Sequence, residues 1–183
     1  MANEYSVEIA AAIKNFLDTD DWHYSFDSED GIFNFNLQIG KKIKKLAYRI
    51  KVRKDDFTVY TIAPIGPNVD DAEEMANMGE YLHRANYGLI NGNFEFDYDD
   101  GEIRYKSFVD CEDQIPSNAI IQNSIYLSAN SFKRYSDGMV DIIFGGKSAK
   151  DAYEKCKQEY LNSVLEMMAQ MQGDDDSSDD DLD

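Results

Sequence analysis

The chain has 183 residues, and 36 acidic against 18 basic side chains set a formal net charge of −18. Hydrophobic residues make up 43% of it, enough to close a core, and the length suits one domain with an appended segment. No run approaches the ~18 apolar residues of a membrane span, and Cys111 and Cys156 are too few for a disulfide framework. The acidity disfavours a duplex-wide phosphate binder. Met1 to Ile9 holds Glu4 and Glu8 but no base, so no secretory signal is expected; a reducing, cytoplasmic setting is.

In chain order, Tyr5, Ile9, Ala12, Ile13, Phe16 and Leu17 fall at helical spacing and predict an amphipathic helix from Glu4 to Asp18. From Trp22 the period becomes two: Trp22, Tyr24 and Phe26 alternate, and after a turn at Ser28-Glu29-Asp30-Gly31 so do Phe33, Phe35, Leu37 and Ile39. A third strand carries Leu46, Tyr48, Ile50 and Val52 between Ala47, Arg49, Lys51 and Arg53, and a fourth spans Thr58 to Ala63. Pro64, Gly66 and Pro67 end this four-strand meander. A helix follows, capped by Asn68 or Asp70, with Ala72, Met75, Ala76, Gly79 and Leu82 as its expected apolar stripe. Asn93 to Tyr98 and Glu102 to Val109 read as a hairpin, with Asp100-Gly101 suiting a two-residue type I′ turn.

The last third reads as helical. From a Ser117 cap, Ile121, Ile125, Ser128, Phe132, Tyr135, Met139 and Ile142 step by four and three, a heptad seam that Gly145-Gly146 stops. Ile125, Phe132, Tyr135 and Met139 are thus either core or a dimer surface. A final helix from Ser148 carries Ala149, Tyr153, Cys156, Tyr160, Val164, Met168 and Met171 in a comparable stripe. The expected fold class is α+β: an antiparallel sheet (meander plus hairpin) with helices packed on it, in the order α-β-β-β-β-α-β-β-α-α. Residues 1–171 form one domain, and 172–183, with seven Asp from Gly173 on and no base, read as a disordered acidic tail.

Charge is unevenly placed. Eight of the 18 bases fall between Lys41 and Lys54, with no acid before Asp55. Lys44, Arg49, Lys51 and Arg53 are either one polar strand face or a docking site for an acidic partner, the chain's own tail included. Phe33 and Phe35 are either core or a client groove. Catalytic constellations are scarce: His23 and His83 have no acid–nucleophile motif around them, and two His with two Cys lack zinc-ligand spacing. No phosphate loop or Gly-x-Ser-x-Gly elbow occurs, and no acidic cluster supplies the first ligand of a calcium loop. No catalytic, cofactor or metal site is therefore expected. Single-stranded nucleic acid could use Tyr48, Tyr60 and Arg49, Lys51 and Arg53, but the tyrosines are expected on the face opposite the bases.

The element order, with Asn86, Gly92, Phe94, Asp97, Gly101, Tyr105 and Lys106 in the second half, resembles the YbjN family of bacterial sensory-transduction regulators. It also resembles the fold that family shares with class I type III secretion chaperones. The resemblance spans residue 4 to about 160 and departs from the family in its fourth meander strand and its acidic tail. It implies a non-enzymatic, cytoplasmic, homodimeric protein that binds a polypeptide client or a regulatory protein. It transfers no catalytic residues. A small-molecule enzyme or ligand sensor with an unrecognised site, or nucleic-acid binding through Lys41–Lys54, remain the alternatives.

Overall fold

The computed structural model describes residues 4–175. Its elements are α1 (Val7–Thr19), β1 (Tyr24–Asp27), β2 (Ile32–Gln38), β3 (Lys45–Val52), β4 (Asp56–Ile62), α2 (Ala72–Asn86), β5 (Asn93–Phe96), β6 (Ile103–Asp110), α3 (Asn118–Gly145) and α4 (Ala149–Asp175). The class is α+β and the order is the expected one. All six strands form one antiparallel sheet in the order β1-β2-β3-β4-β6-β5. Of the stretch expected to be a tail, α4 takes in the part up to Asp175; the rest lies outside the described residues.

Strand alternation sends one set of side chains to a single helix-covered face. Phe33, Phe35, Leu46, Tyr48, Ile50, Val59, Phe94 and Tyr105 are buried there, under Ile9, Ile13, Phe16 and Leu17 of α1 and the seam of α3. Phe35 stacks on Tyr48 with centroids 4.9 Å apart. Phe33 and Phe35 are thus core, and the client-groove alternative does not hold for them. The polar seam position is also explained. Thr61 donates to Ser128 Oγ (2.7 Å), Ser128 Oγ lies 3.0 Å from the Tyr48 hydroxyl, and Tyr48 donates to the Ile125 carbonyl (3.2 Å). Three hydroxyls that would be costly to bury alone satisfy one another between sheet and helix.

Helix α3 begins and ends where its chemistry directs. Ser117 Oγ accepts from Ile120 N–H (3.4 Å), and Gly146 closes the helix at φ +59°. Its whole seam is buried, with Ile125, Phe132 and Met139 at 0% exposure and Tyr135 at 1%. The seam packs on β4, β6, α1, α2 and α4 of the same chain, so it is core and offers no dimer surface.

Four local expectations are corrected. First, α2 is capped by Asp71, which accepts from Glu73 and Glu74 N–H (both 3.0 Å); Asn68 accepts from Asp70 N–H in the preceding turn. Second, α2 buries Met75, Met78, Tyr81, Leu82 and Ala85, leaving Ala72 and Ala76 exposed. Tyr81 turns the helix, because its hydroxyl donates to the Tyr135 carbonyl (2.7 Å) and its ring lies where a Cβ on Gly138 would stand. Third, the β5–β6 hairpin closes through a longer loop in which Gly101 N–H donates to the Asp97 carbonyl (2.9 Å). Only Gly101 takes positive φ there (+76°), whereas a type I′ turn needs it at Asp100 too. Asp27 to Gly31 repeats that loop between β1 and β2, with the same bond (2.9 Å). Fourth, the α4 stripe is buried only through Cys156; Tyr160 and Met168 face solvent.

Candidate partner-binding surface

Among the described residues every helix packs on the buried side of the sheet or on another helix, and the other sheet face carries no layer. Register places Ser25, Asn34, Arg49, Tyr60, Lys106 and Asn93 in one row across that face. Tyr60 therefore shares its face with the bases, contrary to the sequence expectation; only Tyr48 points away. The Arg104 guanidinium sits 4.9 Å over the Tyr60 ring, an occupied cation–π site rather than a free stacking platform.

Much of the positive charge on this face is already neutralised locally. Arg104 donates to Glu95 (2.8 Å), and Lys106 pairs with the same carboxylate. Burial alone pushes the Glu95 carboxyl up, but the hydrogen bonds from Lys106 and Arg104 outweigh it and hold it below the usual range. Arg53 pairs with Asp56 (2.8 Å) and Thr58 (2.9 Å), Lys51 donates to the Asp30 carbonyl (2.7 Å), and Arg49 to Asn34 (3.3 Å). Arg49, Lys51 and Arg53 thus form a basic stripe along β3, inside the sheet, each with its own partner. Lys44 and Lys45 are exposed and have no acidic partner among the described residues.

Those two lysines stand beside a cleft of about 790 Å³ at the β2–β3 end of the sheet. Ala47 and Ile62 form its floor on the open face. Ile43 comes from the β2–β3 turn, Ala63, Pro64 and Ile65 from the exit of β4, and Val140 and Phe144 from the last turns of α3. Lys42, Lys44 and Lys45 rim it. The turn is fixed in two ways: Ile39 N–H donates to the Lys44 carbonyl (2.9 Å), and Lys42 reaches Asp141 on α3 (3.0 Å). Asp141 also holds Lys147 (3.0 Å) and Lys155 (2.6 Å). Burial would raise its carboxyl, but hydrogen bonds from Lys155, Lys42 and Lys147 prevail and hold it well below the usual carboxylate range.

The sequence reading found Lys44 but missed the apolar half of this site. Ala47 and Ile62 sit at the polar parity of their strands, and Phe144 lies off the α3 seam. An apolar residue out of phase was the available signal. Elsewhere, His23 and His83 are exposed, and no three His, Cys, Asp or Glu among the described residues are placed to hold a metal. Cys111 and Cys156 are buried free thiols, both pushed up chiefly by burial. No helix of the described residues is long and apolar enough to cross a membrane.

No protein-family model matches the chain, and no curated protein does. The residues that carry the YbjN resemblance have scaffold roles. The Asn86 side chain accepts from Phe94 N–H (2.7 Å) and donates to its carbonyl (2.9 Å), standing in for a missing neighbour strand at the β5 edge. Tyr105 donates to the Asn91 carbonyl (2.5 Å), and Asp97 accepts from Asp99 N–H (2.8 Å) within the loop. Asn86 thus binds the hairpin to α2, Tyr105 and Asp97 hold the loops at either end of β5, and none of them lines the cleft.

Proposed function

We propose that the chain is a non-enzymatic polypeptide-binding module, chaperone-like or regulatory, of the YbjN and type III secretion chaperone-like class, acting in the cytoplasm. The observation that carries the reading is the lysine-rimmed apolar cleft opening onto a sheet face with no helix over it. Apolar floor and cationic rim together suit an extended or helical segment that presents a large apolar side chain beside acidic ones. The β1 edge adds a place for backbone pairing, since the β5 edge is closed by Asn86. A small anionic amphiphile is the second reading, favoured by a cleft volume within the ~300–1,000 Å³ of ligand pockets.

The test is to isolate the tagged protein from its native cell in about 150 mM salt and identify what is bound. A polypeptide at near-stoichiometric yield is expected, and Lys44→Glu with Lys45→Glu should release it while the exposed Lys150→Glu does not. Retention through the paired reversal would move the site off the cleft. A small molecule in place of a polypeptide would establish the second reading.

A further inference from the structure

We infer that one occupant of the cleft is the distal half of α4 from a second copy of this chain, which makes self-association head-to-tail. The inference rests on the cleft being a polypeptide site and adds the partner's identity.

Helix α4 packs on α2 and α3 only through its first half. Ala149, Ala152 and Cys156 are buried, Lys155 reaches Asp141, and the Arg134 guanidinium lies 4.0 Å over the Tyr160 ring. Among residues 161–170 no large apolar side chain is fully buried: Leu161 is 45% exposed, Leu165 64%, Met167 56% and Met168 58%, and Val164 is half-buried. Leu161, Val164, Leu165 and Met168 follow i, i+3, i+4, i+7 spacing, so they share one face, the pattern of a helix meant to be covered. From Gln158 to Asp175 the helix holds Glu159, Glu166, Asp174 and Asp175 and no base. An apolar stripe set among acids matches a cleft of apolar floor and lysine rim in both shape class and charge.

The helix's own cleft is out of its reach. α4 runs antiparallel to α3, pairing Lys155 with Asp141 and Tyr160 with Arg134. Leu165 and Met168 therefore stand roughly 15–20 Å along the axis beyond Asp141, at 1.5 Å per residue, in the direction away from Val140 and Phe144. Held in a helix, the stripe cannot fold back. A symmetric pairing of two α4 stripes would instead bring together two helix segments that hold acids and no base from Gln158 on, and would leave the lysine-rimmed cleft of each copy unused. The remaining solution uses two different patches on the two copies, a heterologous contact that repeats from copy to copy.

Sedimentation velocity of the full chain from about 1 µM to about 1 mM, the span in which a weak interface populates, tests this. Average mass should rise with concentration and fall back toward one chain as salt increases. Two variants keep the fold intact because they alter exposed positions: Lys44→Glu with Lys45→Glu removes the rim, and Leu165→Lys with Met168→Lys removes the stripe. Each alone should stay a monomer, with an unchanged circular dichroism spectrum. Mixed, they should form a 1:1 complex that grows no further, because one sound cleft meets one sound stripe. Self-association of the rim variant alone, a mixture that stays monomeric, or a monomeric native chain at every concentration would each overturn the inference. If the native chain is monomeric but the rim variant still loses its cell-derived polypeptide, only this inference fails and the proposed function stands.

Discussion

Phe132 and Phe144 lie roughly three turns apart on α3 and should respond in opposite ways to replacement by Ala. Phe132 is 0% exposed, and the Phe94 ring meets it edge-on at 5.2 Å and 90°. Removing its ring forfeits about 2–3 kcal/mol of transfer free energy. A residual void of roughly 50–80 Å³ adds about 1–2 kcal/mol at ~24 cal/mol per Å³. The sum, about 3–5 kcal/mol, includes the edge-to-face pair and is a large part of the ~5–15 kcal/mol that holds a domain together. In urea, followed by far-ultraviolet circular dichroism, the midpoint should fall by about 2 M at an unchanged slope of ~2 kcal/mol per M. The melting temperature should fall by ~8–16 °C. Phe144 is 73% exposed on the cleft wall, so Phe144→Ala should stay within about 0.5 kcal/mol of native while weakening partner capture. A loss under about 1 kcal/mol for Phe132→Ala, or equal losses for the two, would refute the assignment of one ring to core and the other to surface.

Asp141→Asn should cost about 1–2 kcal/mol, because Lys42, Lys147 and Lys155 are 46%, 42% and 36% exposed and recover much of their hydration. The folded-state titration of Asp141 is moved downward. Its stabilisation is therefore complete above the unfolded value near ~3.9 and is lost as pH falls through the folded value. The stability gap between native and variant, from urea melts across the acid range, should shrink as pH falls from about 6 to about 2; a constant gap would refute the ion cluster. Gly101→Ala should be worse than Gly40→Ala, although both residues have positive φ, +76° and +69°. A Cβ at Gly101 would stand 2.9 Å from the Pro67 carbonyl oxygen, whereas nothing lies within 4 Å of one at Gly40. Thermal melts should show about 2–3 kcal/mol for the first and about 1 kcal/mol for the second; equal costs would mean that backbone strain alone matters.

Periodicity alone carried most of the architecture. A strand shows its buried face every second residue and a long helix its seam every third or fourth, so the meander, the hairpin and the α3 seam were legible from local spacing. Ser117 and Gly146 marked the ends of α3 for equally local reasons, a side-chain cap and a left-handed stop. Spacing says which residues turn inward but not what lies opposite them. Whether the α3 seam met the chain's own sheet or a second copy was decided by packing, as was the phase of α2, which the Tyr81 bond to the Tyr135 carbonyl rotates away from the Ala72–Ala76 side. The cleft is tertiary in the same sense: Ile62, Ala47 and Phe144 each break their element's pattern singly, and only strand pairing and the passage of α3 past the sheet end bring them under one lysine rim. The bare half of α4 is the converse case. Its apolar spacing is as regular as that of the buried half, so spacing alone does not tell them apart: packing on α2 and α3 buries the helix through Cys156 and leaves Leu161, Leu165, Met167 and Met168 exposed.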